Sequence, residues 1–224
     1  WVIAVFQYLP LGLIISARLV SALAGLATAL ILAKISSQIN GKNTYWIAFA
    51  VITILPFTLF YDRVALFESL TLMWMAWSLI MPVLAVPLGI LTKQTTWLVL
   101  PLAAVYHFKD KRKVAVMVLA AFLLPITIWV LALGWDDFYQ MIFVKTSAPL
   151  SLAANFKGNI FRVKLWFLAY LTWPIIVTAV LGSVGEFVKT IRSKTISPLF
   201  WICVWSVFII LLESATARIF YPRY

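Results

Sequence analysis

Few side chains in this 224-residue chain can do chemistry: seven Asp and Glu, one histidine and one cysteine stand beside 18 Lys and Arg. The first grouping is Asp62 followed by Arg63-Val64-Ala65-Leu66-Phe67-Glu68. Five positions along a helix turn through about 140°, so Arg63 and Glu68 are not the ordinary neighbours of a helical ion pair. Two readings stand. One is interfacial anchoring, with Glu68 near a helix N-terminus where a carboxylate is favoured. The other is contact with a substrate or metal, because ionisable groups at the rim of an apolar cavity are costly and mark function. Lys93, within Gly89-Ile90-Leu91-Thr92-Lys93-Gln94, is the second candidate. Its ammonium either snorkels from a helix end or binds a phosphate as a compact point charge at the membrane boundary.

Asp136-Asp137 has the composition of a metal-binding or general-base pair, yet capping of an interfacial helix over 136–144 is the preferred reading. His107 is the only histidine, beside Tyr106 and a basic cluster, and no HExxH or Cys/His spacing accompanies it. A zinc site within the chain is therefore not expected. Cys203 is alone and lies in an apolar run, so no disulfide forms within the chain. No G-x-x-x-x-G-K-[ST], G-x-G-x-x-G or G-x-S-x-G pattern occurs, which excludes a P-loop ATPase, a Rossmann enzyme and an α/β-hydrolase.

The elements that must carry these residues are set by composition. The chain is 64% hydrophobic and 11% charged, with a mean hydropathy of +1.04; soluble domains are about 45–50% apolar and about 25% charged. Charge-free runs cover 19–33, 43–61, 69–92, 94–108, 114–135, 165–185 and 195–212. They lack the alternation of an outer-membrane barrel and predict an all-α, polytopic transmembrane bundle of about seven to eight spans or partial spans, with 1–224 forming a single transmembrane domain. The stripe Ala17, Ser21, Gly25 and Ala29 predicts close helix packing. The chain opens on Trp1 and stops at Arg223-Tyr224, so it reads as an internal piece of a longer protein, truncated at both ends.

A net charge of +11 does not point to nucleic acid here, because the cations sit between apolar runs. Basic loops at Lys34/Lys42, Lys109–Lys113 and Lys189/Arg192/Lys194 are assigned to the inner side. The first full span is then 19–36, with 45–61 returning to an outer face that holds Asp62, Arg63 and Glu68. Residues 114–133 exit, 165–184 re-enter and 198–212 exit again, leaving 134–164 outside. Parity requires three passes between 69 and 113. The preferred solution breaks 69–92 near Pro82 and Pro87 into two shortened segments, followed by 94–108. Nine cations fall inside and nine outside; with five outer acids, the outer side keeps +4. Arg63, Lys93 and Arg223 belong to that excess, which is read as a site for an anionic group.

Four stretches in order carry a resemblance. Ala17-Arg18-Leu19-Val20-Ser21-Ala22-Leu23-Ala24-Gly25 resembles the opening of the second span of membrane-integral GT-C glycosyltransferases, above all the bacterial members related to protein O-mannosyltransferases and aminoarabinose transferase. Arg63-x4-Glu68 matches their Arg-x4-Asp/Glu spacing, Gly89 to Gln94 resembles a glycine-to-lysine motif, and Pro222-Arg223-Tyr224 is similar to a late outer element. The resemblance implies a GT-C-like fold and a multi-pass enzyme of the cell (inner or plasma) membrane. Such an enzyme passes a sugar from a polyprenyl- or dolichyl-phosphate donor to a lipid, glycan or protein acceptor at the outer face. It implies that Lys93, Arg223, Tyr224 and Arg63 contact the donor phosphate, and that Glu68 and Asp62 line the cavity towards acceptor or a divalent metal, although no residue pattern here supports a metal. The catalytic acid, together with the first span and first outer loop, is expected upstream of Trp1. A transporter or lipid-linked-sugar flippase is the rival reading, and a non-catalytic membrane scaffold a third.

Overall fold

The computed structural model describes residues 8, 12–55, 67–140, 152–166 and 173–216; these are helical, with no strand among them. The chain groups into two compact units that divide between Val118 and Leu119. Among the described residues, three helices are long and apolar enough to cross a membrane, and four further apolar helices are shorter.

In the first unit, α1 (Leu13–Asn40) and α2 (Thr44–Ile54) are joined by the turn at Gly41. Gly41 has φ 94°, a backbone region open to glycine at little cost, and its N–H closes α1 on Ser37 O at 3.1 Å. The expected first span, 19–36, proves too short at both ends. Helix continues through Arg18 because the positions flanking the apolar run carry no proline or cap to stop it. The small-residue stripe is buried as expected: Ala17, Ser21, Gly25 and Ala29 lie on the packed side of α1, against α2 and α3. Thr28, which shares that side, returns its hydroxyl to Ala24 O at 2.8 Å and so costs no unpaired polar group. Of the expected return 45–61, residues 44–54 form α2, and those after Leu55 lie outside the described residues.

Residues 69–92 form two short helices, α3 (Phe67–Ser78) and α4 (Pro82–Thr92). The break falls at Leu79, Ile80 and Met81, immediately before Pro82, which lacks an N–H to give and starts α4 at little cost. At 12 and 11 residues each rises about 16–18 Å, roughly half a bilayer core. A 3-10 helix, η1 (Gln94–Val99), then packs against α3 and α4 and leads into α5 (Leu100–Tyr106).

Helix α6 (Lys111–Leu133) crosses the division between the units. Asp110 caps it by accepting the Lys113 N–H at 2.9 Å, which places one carboxylate where three successive cations oppose the helix dipole. In the second unit, α7 (Trp135–Tyr139) covers the start of the expected 136–144 helix, of which 141–144 lie outside the described residues, and its N-cap is Gly134 at φ 83°. Asp136 and Asp137 occupy the first turn instead of the cap. Helix α8 (Leu152–Trp166) occupies part of what was expected as outer loop. Of the expected 165–184 span, Leu165 and Trp166 belong to α8, residues 167–172 lie outside the described residues, and α9 (Trp173–Ser193) carries 173–184 and continues through Glu186 and Lys189. Helix α10 (Pro198–Thr216) packs against both α8 and α9.

Candidate functional site

Helices α3 and α4 form an antiparallel hairpin, so residues equidistant from the Ile80–Met81 turn come side by side. Glu68, in the first turn of α3, thereby meets Lys93, the residue that follows α4. Lys93 Nζ donates to Glu68 Oε1 at 2.9 Å, with the two side chains 33% and 23% exposed. The pair is enclosed enough to be held and open enough for a ligand to reach.

Local structure fixes Lys93. It is the single extended residue (φ −154°, ψ 128°) between α4 and η1. Its N–H closes α4 on Gly89 O at 2.8 Å, and its own carbonyl accepts from Thr96 N at 3.0 Å, starting the next helix. Thr96 Oγ1 also donates to Gly89 O, at 3.0 Å. Gly89 is where these elements come closest. A Cβ there would run into Thr96 Cγ2 and lie 3.1 Å from Trp74 Cβ. Gly89, Lys93 and Thr96 therefore form one knot of backbone and hydroxyl contacts, and the ammonium emerges from it on the Glu68 side.

The other end of the hairpin is also closed. His107, after α5, comes to the Ser78 and Leu79 carbonyls at the α3–α4 turn, and its Nε2 is enclosed with no hydrogen-bond partner among the described residues. Burial, then the nearby Lys113 ammonium, holds its pKa below the ordinary 6.5; the two carbonyls and Asp110 pull the other way. Three buried polar atoms on the packed helices of this unit, Ser16 Oγ, Ser69 Oγ and Trp74 Nε1, have no partner among the described residues.

Of the residues singled out in the sequence, Lys93 and Glu68 are brought together. Asp62, Arg63, Arg223 and Tyr224 lie outside the described residues. Glu68 was expected to line a cavity towards metal or acceptor; its observed partner is the Lys93 ammonium. No group of three His, Cys, Asp or Glu gathers to hold a metal among the described residues. The Lys93–Glu68 contact itself was not foreseen, although the Pro82 break carried the signal: folding the chain back there sets position 68 against 93. No family model matches the chain, nor does any curated protein sequence or solved structure.

Proposed function

We propose that this chain is the membrane-embedded part of a glycosyltransferase that takes a sugar from a polyprenyl- or dolichyl-phosphate donor and passes it to an acceptor at the outer membrane face. The observation that carries this reading is the Lys93–Glu68 pair, in which two residues of separate family-like motifs share one partly open site. When the sugar leaves its donor, the lipid phosphate gains negative charge. A fixed ammonium beside that oxygen stabilises the transition state more than the ground state, with no reorganisation at the moment of reaction. Glu68 keeps Lys93 positioned before the donor arrives; the donor phosphodiester carries a single negative charge, as Glu68 does, and draws the ammonium more strongly as it gains charge when the sugar leaves.

In this proposal the full-length and shorter helices together make a GT-C-like bundle of seven to eight spans or partial spans in the cell membrane. The short α3–α4 hairpin is tolerated at membrane depth because it is packed against protein. Arg63, Arg223 and Tyr224 supply further donor contacts, and Asp62 faces the acceptor side.

The test uses the intact protein reconstituted in vesicles with polyprenyl-phosphate-linked sugars. A transferase joins the sugar to an acceptor. A flippase moves the lipid-linked sugar across the bilayer and leaves it on its lipid, and that outcome would replace this proposal with the transport reading.

A further inference from the structure

Helix α9 has no buried residue. Its contacts with α10 lie along one side, where Phe187 stacks on Phe200 at 6.2 Å and Ser183 reaches Cys203 Sγ at 3.5 Å. On the opposite side Gly185, Val188, Lys189, Arg192 and Ser193 line a shallow, open groove along the helix surface. At about 100° per residue, Gly185 lies almost directly in line with Arg192 two turns later. A Cβ on Gly182 or Gly185 would meet nothing within 4 Å, so the apolar part of the groove is open along the helix.

Charge at the end of α9 is unbalanced. Glu186 is engaged on the α10 side, accepting the Ser197 hydroxyl through Oε1, while its Oε2 is 3.9 Å from Lys189 Nζ. The Lys189 side chain remains 71% exposed, and Arg192 and Lys194 are exposed beside it. Three cations face one carboxylate and about half a negative charge from the helix end, which leaves a clear positive excess. Trp173 stands at the far end of the same 21-residue helix, about 30 Å away, the spacing of the two faces of a bilayer core.

We propose that this groove binds one anionic phospholipid, its phosphate headgroup held by Lys189, Arg192 and the Ser193 hydroxyl and an acyl chain lying in the notch over Gly185 and Gly182. The charge of the rim selects the headgroup, and the apolar notch requires a chain attached to it.

The experiment uses the intact protein in detergent, mixed with phosphatidylglycerol or phosphatidylcholine, and counts retained lipid by native mass spectrometry. The wild type is expected to retain phosphatidylglycerol preferentially. Lys189→Gln with Arg192→Gln lowers that retention about twenty-five-fold, from about fivefold per cation lost at the membrane surface. Gly185→Leu, whose Cβ meets nothing within 4 Å, fills the notch and lowers it severalfold while the melting temperature stays level or rises. Lys157→Gln with Lys164→Gln removes the same charge from α8 and leaves retention unchanged. Equal retention by the wild type and the Lys189/Arg192 variant overturns the proposal. So does a Gly185→Leu chain that binds lipid normally but no longer self-associates, because a second copy of the chain would then occupy the groove.

Discussion

Lys93 and Glu68 are 25 residues apart in sequence and 2.9 Å apart in space, joined only because the chain reverses at Leu79 to Met81. The contact ties the open end of the α3–α4 hairpin to the start of η1. A double-mutant cycle with Lys93→Ala and Glu68→Ala measures its strength. Both side chains keep some solvent exposure, so the coupling is expected at about 0.5–1 kcal/mol, falling as salt is raised. Additive effects of the two substitutions on thermal unfolding would mean the pair does not hold the hairpin.

Gly89 is the position where a single methyl group does most harm. Gly89→Ala is expected to cost about 1–3 kcal/mol through overpacking against Thr96 and Trp74. Adding Thr96→Ser removes the clashing methyl while keeping the hydroxyl bond to Gly89 O, and recovers part of the loss. Gly158→Ala in α8 is the control: its Cβ meets nothing, and a helical alanine should stabilise by about 0.5–1 kcal/mol. Equal melting temperatures for Gly89→Ala and Gly158→Ala would show that α4 and η1 do not pack this closely.

Asp110 stands between the hairpin and α6. Asp110→Ala removes the acceptor of the Lys113 N–H and is expected to cost about 1 kcal/mol. Asp110→Asn keeps a capping oxygen and loses only the charge that faces three cations, so its cost is smaller and disappears at high salt. Thermal melts of both variants at two ionic strengths separate the two effects.

His107 gives the fold an acid limit. Its pKa is held below 6.5, first by burial and then by Lys113. As pH falls through 6.5 the unfolded chain takes up a proton that the folded chain resists, so stability is full above that value. It declines towards the lowered folded-state value, with no further loss below it. His107→Gln flattens the unfolding midpoint over that window, and Lys113→Gln shrinks the effect. A His107→Gln chain with the same acid slope as wild type would place the titration elsewhere.

Much of the architecture was legible in the residues. The Ala17, Ser21, Gly25, Ala29 stripe announced a packed helix face, since side chains this small allow close backbone approach wherever a partner helix lies. Pro82 marked the hairpin break because proline starts a helix more easily than it continues one. Lys93 and Glu68 were each singled out for being ionisable at an apolar boundary. Their pairing was not, because an antiparallel contact depends on where the turn falls and hydropathy does not register a three-residue turn. Gly89 drew notice only as part of a motif; its value lies in the absent side chain, which shows once Thr96 and Trp74 are seen around it.

The central claim is that Lys93 holds the donor phosphate, and transfer from a polyprenyl-phosphate-linked sugar by the intact protein in native membranes tests it most directly. Lys93→Ala is expected to lower turnover by roughly 100-fold or more, as loss of a transition-state charge contact does, at unchanged protein level and melting temperature corrected for the lost pair. Glu68→Gln frees the ammonium and is expected to keep substantial transfer. A folded Lys93→Ala protein that transfers sugar at the wild-type rate would contradict the claim and return Lys93 to the role of an ion-paired lysine at a helix end.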